Sequence, residues 1–253
     1  MNYGMYLSAA GVQTSLHKQD VYANNLANAN TVGFKPDTVV TRERLIERLE
    51  DPHLMVSPHW LLEQLGGGQL VEPTRVMLRQ GSLVRTGNDL DIALEGNGFL
   101  TVRDRQGETA LTRDGRLTVD DSGLLVMTTT GLPVLNDAGE PITITPDVPL
   151  TIDSDGAIRQ EDVLVDQLAL VQPDDPTALR KQGENLFRLD GNTTTLPSDV
   201  AVRQGFVESS AVDPVKAMMA MTGAAKAVQS NARMMQYHDQ TLNNLFSRVG
   251  RVN

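Results

Sequence analysis

Histidine is the side chain best suited to moving protons near neutral pH, and this chain of 253 residues holds four, His17, His53, His59 and His238. They are scattered, and none forms an i,i+4 pair around a glutamate as a zinc-hydrolase helix requires. No Gly-x-Ser-x-Gly elbow is present to expose a nucleophile. Cysteine is absent, which removes disulfides and thiolate metal sites. Asp153-Ser154-Asp155-Gly156 opens like a calcium loop, but no closing glutamate follows at loop spacing. Gly96-Asn97-Gly98 lacks the glycine pattern and the lysine of a phosphate loop and reads as a turn. Asn192-Thr193-Thr194 fits a glycosylation acceptor, which has meaning only in a secretory compartment that the chain shows no sign of entering. Carboxylate pairs are plentiful, but they fall among turn residues, where solvated charge is the ordinary state. The expectation is a protein with no catalytic residue, cofactor, bound metal or small-molecule substrate.

Composition points instead to architecture. The net charge of -10 argues against a nucleic-acid partner. Residues 1–36 carry a net +1 (Lys18 and Lys35 against Asp20), and residues 212–253 carry more bases than acids, so the acid is concentrated in the middle. No apolar run is long enough to span a bilayer. The N-terminus lacks the basic segment and apolar core of a secretory signal, which leaves the cytoplasm or an export route that uses no such signal.

Residues 212–249 read as one long helix whose seam is Met218, Met221, Ala225, Val228, Ala232, Met235, Leu242, Phe246 and Val249, in steps of three and four. Asp213 supplies a cap and Pro214 a first-turn proline. Helices in globular proteins average about 11–12 residues, so this one is too long for an ordinary core element. A thin seam rich in Ala and Met suits a coiled-coil partner. The N-terminus repeats the pattern with Met5, Ala9, Val12, Leu16, Gln19, Ala23, Leu26 and Asn30. Gly33 can take the left-handed position after the last turn, and Pro36 stops the helix. Asn24, Asn25, Asn28 and Asn30 are unusual inside a helix. Either the helix frays there before its stop, or buried amides set the register between neighbouring helices. The position of Asn24 and Asn25, two turns before the glycine, favours the second account.

Between these ends the chain changes character. Residues 37–80 read as an extended arm, with charge and leucine alternating over 41–50, Pro52 and Pro58 as breaks, 60–65 as cover for a core edge, and 66–68 as a glycine joint. From about residue 81 to 202 the period becomes two, with short β-prone runs separated by Asp-, Asn- and Gly-rich turns. The gaps are too short for crossover helices. The predicted fold is therefore a mostly β central domain, antiparallel and barrel- or sandwich-like, with long N- and C-terminal α-helices forming a coiled-coil-like pair. The segments are 1–36 (axial helix and motif), 37–80 (arm), 81–203 (β-rich domain) and 204–253 (axial helix).

Two readings fit such a chain: a subunit of a helical or filamentous assembly, or a coiled-coil adaptor presenting a β-rich binding domain. Four motifs favour the first. They are 23–35 (with Asn24, Asn25, Leu26, Asn28, Gly33 and Phe34), 86–102 (with Gly87, Asp91, Gly96, Gly98 and Phe99), 112–115 (with Arg113 and Gly115) and 204–215 (with Gly205, Glu208 and Pro214). In kind and order they resemble the flagellar basal-body rod and hook protein family. Leu111 stands where that family usually has Tyr, and Leu100 where it usually has a second Phe; both keep an apolar side chain. The start of the chain, with Tyr6, and residues 212–218 are more similar to proximal than to distal rod proteins.

The resemblance implies a structural subunit of the bacterial flagellar basal body, whose terminal helices pair in the assembled inner tube while the β-rich middle lies outside. Its implied partners are copies of itself, other axial proteins of the rod and hook, and the flagellar type III export apparatus. It also implies passage into the periplasm without a cleaved signal peptide.

Overall fold

The computed structural model describes residues 3–44, 67–146, 148–190, 194–198 and 200–249. The expectations for residues 45–66 and for Asn192 lie outside the described residues. The chain divides into two compact units. The first comprises Met1–Leu26, Asp37–Thr74 and Pro214–Asn253, and the second Ala27–Pro36 and Arg75–Asp213.

The first unit contains helix α1 (Tyr3–Ala27) and helix α2 (Pro214–Val249), with α2 starting at its proline as a first-turn proline should. Strands β1 (Asp37–Glu43) and β2 (Gln69–Val76) form a two-stranded ribbon. Asn25 fixes its entry: Nδ2 donates to the Asp37 carbonyl at 2.8 Å, and the Asp37 N–H donates to Oδ1 at 2.9 Å. This corrects the expectation that the Asn25 amide would set a register between helices. The amide has the same donor–acceptor pair as a peptide unit, and here it pairs with a strand backbone.

The stripe that α1 buries differs from the one its larger apolar residues suggested. Ser8, Thr14, Ser15, Val21 and Asn25 are buried, whereas Leu16 is 46% exposed. Gly4, Ser8, Gly11 and Ser15 follow one another in steps of four, three and four on this inner face. A Cβ on Gly4 would lie 2.7 Å from Cε1 of His238, and one on Gly11 2.8 Å from Nδ2 of Asn231. Seven residues forward in α1 thus correspond to seven residues back in α2, so the two run antiparallel where they meet. Small residues are placed where α2 comes close, whereas Tyr6 and Leu16 are exposed.

The second unit is antiparallel β. Its strands are β3 (Leu83–Arg85), β4 (Ile92–Glu95), β5 (Phe99–Arg103), β6 (Thr109–Thr112), β7 (Leu117–Val119), β8 (Leu125–Met127), β9 (Leu150–Ile152) and β10 (Ala157–Gln160). There follow β11 (Val163–Gln167), β12 (Leu170–Pro173), β13 (Leu179–Gly183), β14 (Leu186–Leu189), β15 (Thr195–Pro197), β16 (Ala201–Gln204) and β17 (Phe206–Glu208). The largest sheet has the order β13-β14-β6-β5-β12-β15, and a smaller one β11-β10-β9. β16 pairs with β4, β17 with β3, and β7 with β8. No closed barrel forms among the described residues, which corrects the barrel alternative. The large sheet ends in open edges, one of them containing Pro197, which has no N–H to give a further neighbour.

The main core gathers Ile92, Leu100, Val102, Leu125, Met127 and Ile158 among others, and a second cluster packs Phe99 edge-on to Phe187 at 5.5 Å. The turns expected from composition share one code. Asp104, Asp120 and Asn136 each accept with the side chain from the N–H two and four residues on, at 2.8 to 3.1 Å, and a glycine stands at the third place. Asp153-Ser154-Asp155-Gly156 closes in the same way through its backbone. Its Asp153 carboxylate accepts from Arg159 Nε at 2.7 Å, so the calcium-like spelling serves a hairpin turn.

Candidate functional site

Four distant stretches of sequence meet in the second unit around one carboxylate. β17 delivers Glu208, the loop after α1 delivers Lys35, the turn after β6 delivers Arg113, and Gly81 arrives just ahead of β3. Lys35 Nζ donates to Glu208 Oε1 at 2.6 Å, and the Gly81 N–H donates to the same oxygen at 2.7 Å. Arg113 Nη1 donates to Oε2 at 3.1 Å. The Lys35 and Glu208 side chains are each only 1% exposed. Two cations against one anion leave a surplus positive charge, which backbone dipoles meet. Lys35 also donates to the Arg79 carbonyl at 3.0 Å, and Arg113 to the Gly96 carbonyl at 2.5 Å. The Arg113 guanidinium further lies over the Phe99 ring, 5.0 Å from its centroid. Burial pushes both cations below their ordinary pKa values, against the pull of Glu208.

The backbone around this node explains the glycines of the motifs. Gly33 has φ +69°, its N–H donates to the Glu208 carbonyl at 2.7 Å, and a Cβ there would collide with the Arg113 carbonyl. A Cβ on Gly115 would collide with the Ile92 carbonyl still more closely, and the Ile92 N–H donates to the Gly115 carbonyl at 2.9 Å. Phe34 is buried under Lys181 Nζ, 3.9 Å from the ring centroid, and its carbonyl accepts from the Ala211 N–H at 3.0 Å. Nearby, the Gly205 carbonyl accepts from the Thr86 and Gly87 N–H groups at 2.9 and 3.3 Å. The Gly205 N–H in turn donates to the Asp91 carbonyl at 2.8 Å. Gly98 packs against Val200 and Ser198. The motif residues of the second unit are therefore neighbours in space, although up to 173 positions separate Lys35 from Glu208.

The seam residues are distributed differently. Met5, Val12 and Leu26 on α1, and Met221, Ala225, Val228, Ala232, Met235 and Leu242 on α2, are half-buried. Met218 is exposed, and the Phe246 side chain lies outside the described residues. Asn24 is exposed, and Asn28 accepts from Thr31 at the helix stop. Lys35 closes the 23–35 motif but was not singled out from the sequence as a site residue. Apart from the motif it ends, its local signal is a lone charge between Phe34 and Pro36. Chemically the node is closed, because its anion and both cations are bonded internally and none faces solvent. It can lock four segments together, and it presents nothing to a substrate.

The motifs the node joins recur in known proteins. The family of flagella basal body rod proteins matches residues 5–35, the D1 domain of the flagellar hook proteins FlgE/F/G matches 93–160, and the C-terminal region of the flagellar basal body rod FlgEFG proteins matches 203–247. The chain is 35% identical to the flagellar basal-body rod protein FlgF of Caulobacter vibrioides over 100% of both chains. It belongs to the flagellar basal-body rod protein family. FlgF of Mesorhizobium japonicum is 33% identical over 93% of each chain, and FlgG of Bacillus subtilis is 30% identical over 95% of this chain and 97% of that one. The likeness to FlgF agrees with the proximal-rod character read from the sequence. A rod protein of this family is a structural, non-enzymatic subunit of the flagellar basal body that serves motility and associates with its own kind and with other axial proteins.

Proposed function

We propose that this rod protein polymerises through its terminal helices, which act as a coiled-coil-like pair within the axial drive shaft. The seam named above would meet neighbouring copies and other rod and hook proteins. In this reading residues 1–36 and 204–253 are axial, 37–80 an arm, and 81–203 the outward β-rich domain. The chain would leave the cytoplasm through the flagellar type III export apparatus with its N-terminus uncleaved and enter a rod crossing the periplasm. One observation carries the reading. Eight of the fifteen exposed large apolar side chains among the described residues lie on α1 and α2; Leu16 and Met218 belong to the seam, and others such as Val215 and Met219, the latter at 70%, lie beside it. An isolated helix in water is marginal, and such a row gains stability only when a neighbour covers it, at about 1.5–3 kcal/mol per fully buried Met or Leu.

Sedimentation over a wide concentration range, alone and with another axial protein, tests this. Higher species should form in the wild type, and Met219→Glu should weaken them about tenfold or more through an uncompensated charge in the contact. A wild-type protein that stays monomeric in every mixture sinks the reading. For export, the protein recovered outside the inner membrane should retain its starting residues.

A further inference from the structure

Among the strands of the second unit that have no further partner strand among the described residues, two differ in charge. β11 is the outer strand of its three-stranded sheet, and Val163 and Leu164 on it are 65% and 57% exposed, with Val165 beside them. Free N–H and C=O groups on an apolar edge template further pairing, so natural edges are usually interrupted by charge or covered. Here acid brackets the apolar run without breaking it: Glu161 and Asp162 precede it and Asp166 follows. β3 has the opposite sign. Among the described residues it pairs with β17 alone, exposes Val84 and ends in exposed Arg85.

We infer that β11 of one copy adds to β3 of a neighbouring copy, acidic edge against basic edge. Two different surfaces meet in such a contact, so it runs head to tail into an open assembly and does not close as a two-fold dimer. Pairing of β11 with a second β11 would set acid against acid, which is unfavourable across strands. The contact rests on the reading that copies assemble, and it adds a site in the second unit to the one on the helices.

The absence of cysteine makes a direct test clean. Full-length Leu164→Cys (with Val163→Cys and Val165→Cys as register controls) is mixed with Val84→Cys under mild oxidation. A mixed disulfide dimer is expected, and a ladder when both substitutions share one chain. Asp162→Arg and Arg85→Glu should each weaken sedimenting assemblies about three- to tenfold, and the two reversals together should restore them. Cross-linking of Leu164→Cys chains to one another but not to Val84→Cys overturns the proposal, as do charge reversals without effect. Failure of the helix reading is distinct: assembly would survive Met219→Glu. A wild-type protein that never associates overturns both.

Discussion

Lys35, Arg113 and Glu208 lie sealed inside the second unit, whereas the first half of α1 in the first unit faces α2 with glycine and serine. The two devices constrain different things. A buried triad with directional bonds has one register, because any shift strands a charge in a dry interior. A stripe of small residues fixes only how near two helices can come, and its three- and four-residue spacing repeats along the axis. The rod protein thus combines a unit whose geometry is set internally with helices that leave several large apolar residues, Leu16 and Met219 among them, exposed. Fixed shape and adjustable contact are assigned to different parts of one chain.

The comparison breaks most sharply at Glu208. Glu208→Ala would leave both cations buried without a counter-charge and should cost about 3–5 kcal/mol, read by urea unfolding of the β signal. Ser15→Ala on the α1 stripe should cost under about 1 kcal/mol in the same assay. Equal losses would mean that the triad is no more constraining than the stripe. Gly33→Ala comes next, at about 2–4 kcal/mol, since it combines a left-handed φ of +69° with a collision against the Arg113 carbonyl, which is backbone and cannot swing aside.

These positions also mark how far the sequence could be read. The Asp104 and Asn136 turns were legible because each is a code of five consecutive residues, and the turn read at 121–123 starts one residue earlier, at Asp120. The two helices were legible from their period, and the start of α2 from Pro214. The stripe of α1 that faces α2 was not legible, because Gly11 and Ser15 carry little hydrophobic signal, yet a close helix crossing selects for smallness. The node was hidden for a different reason: its three side chains are 78 to 173 positions apart, and only the folded sheet order brings them together. Whether the strands close into a barrel is likewise a property of pairing at the edges, which strand-by-strand patterns do not encode.

A smaller effect sharpens the contrast from the side of the helices. A Cβ at Gly11 would crowd the Asn231 amide, the movable end of a side chain, so Gly11→Ala should cost only about 1–2 kcal/mol, offset in part by the better helix propensity of alanine. Asn231→Ala in the same chain should return most of that loss, measured as a double-mutant cycle in the helical signal. Purely additive losses would show that the two helices do not approach each other there in solution.

The smallest expected effect is a slope with pH, and its sign is unusual for a lysine in an ion pair. Burial outweighs the neighbouring Glu208 carboxylate and lowers the Lys35 pKa. Below that lowered value both folded and unfolded chains hold the proton, and Lys35 contributes no slope. Between it and the ordinary lysine value of about 10.4, the unfolded chain binds a proton that the folded chain has released. Stability therefore rises with pH across that window, by at most about 1.4 kcal/mol per pH unit. The informative quantity is the difference between the wild type and Lys35→Met, in which contributions common to both chains cancel. Arg113 still pairs with Glu208 in that variant, which keeps the carboxylate compensated. Denaturation midpoints taken in steps from neutral to alkaline pH should show the wild type gaining on the variant. If the two curves run parallel, or the wild type falls behind, then the pull of Glu208 exceeds the cost of burial, and the node would have to be regarded as an ordinary stabilising ion pair.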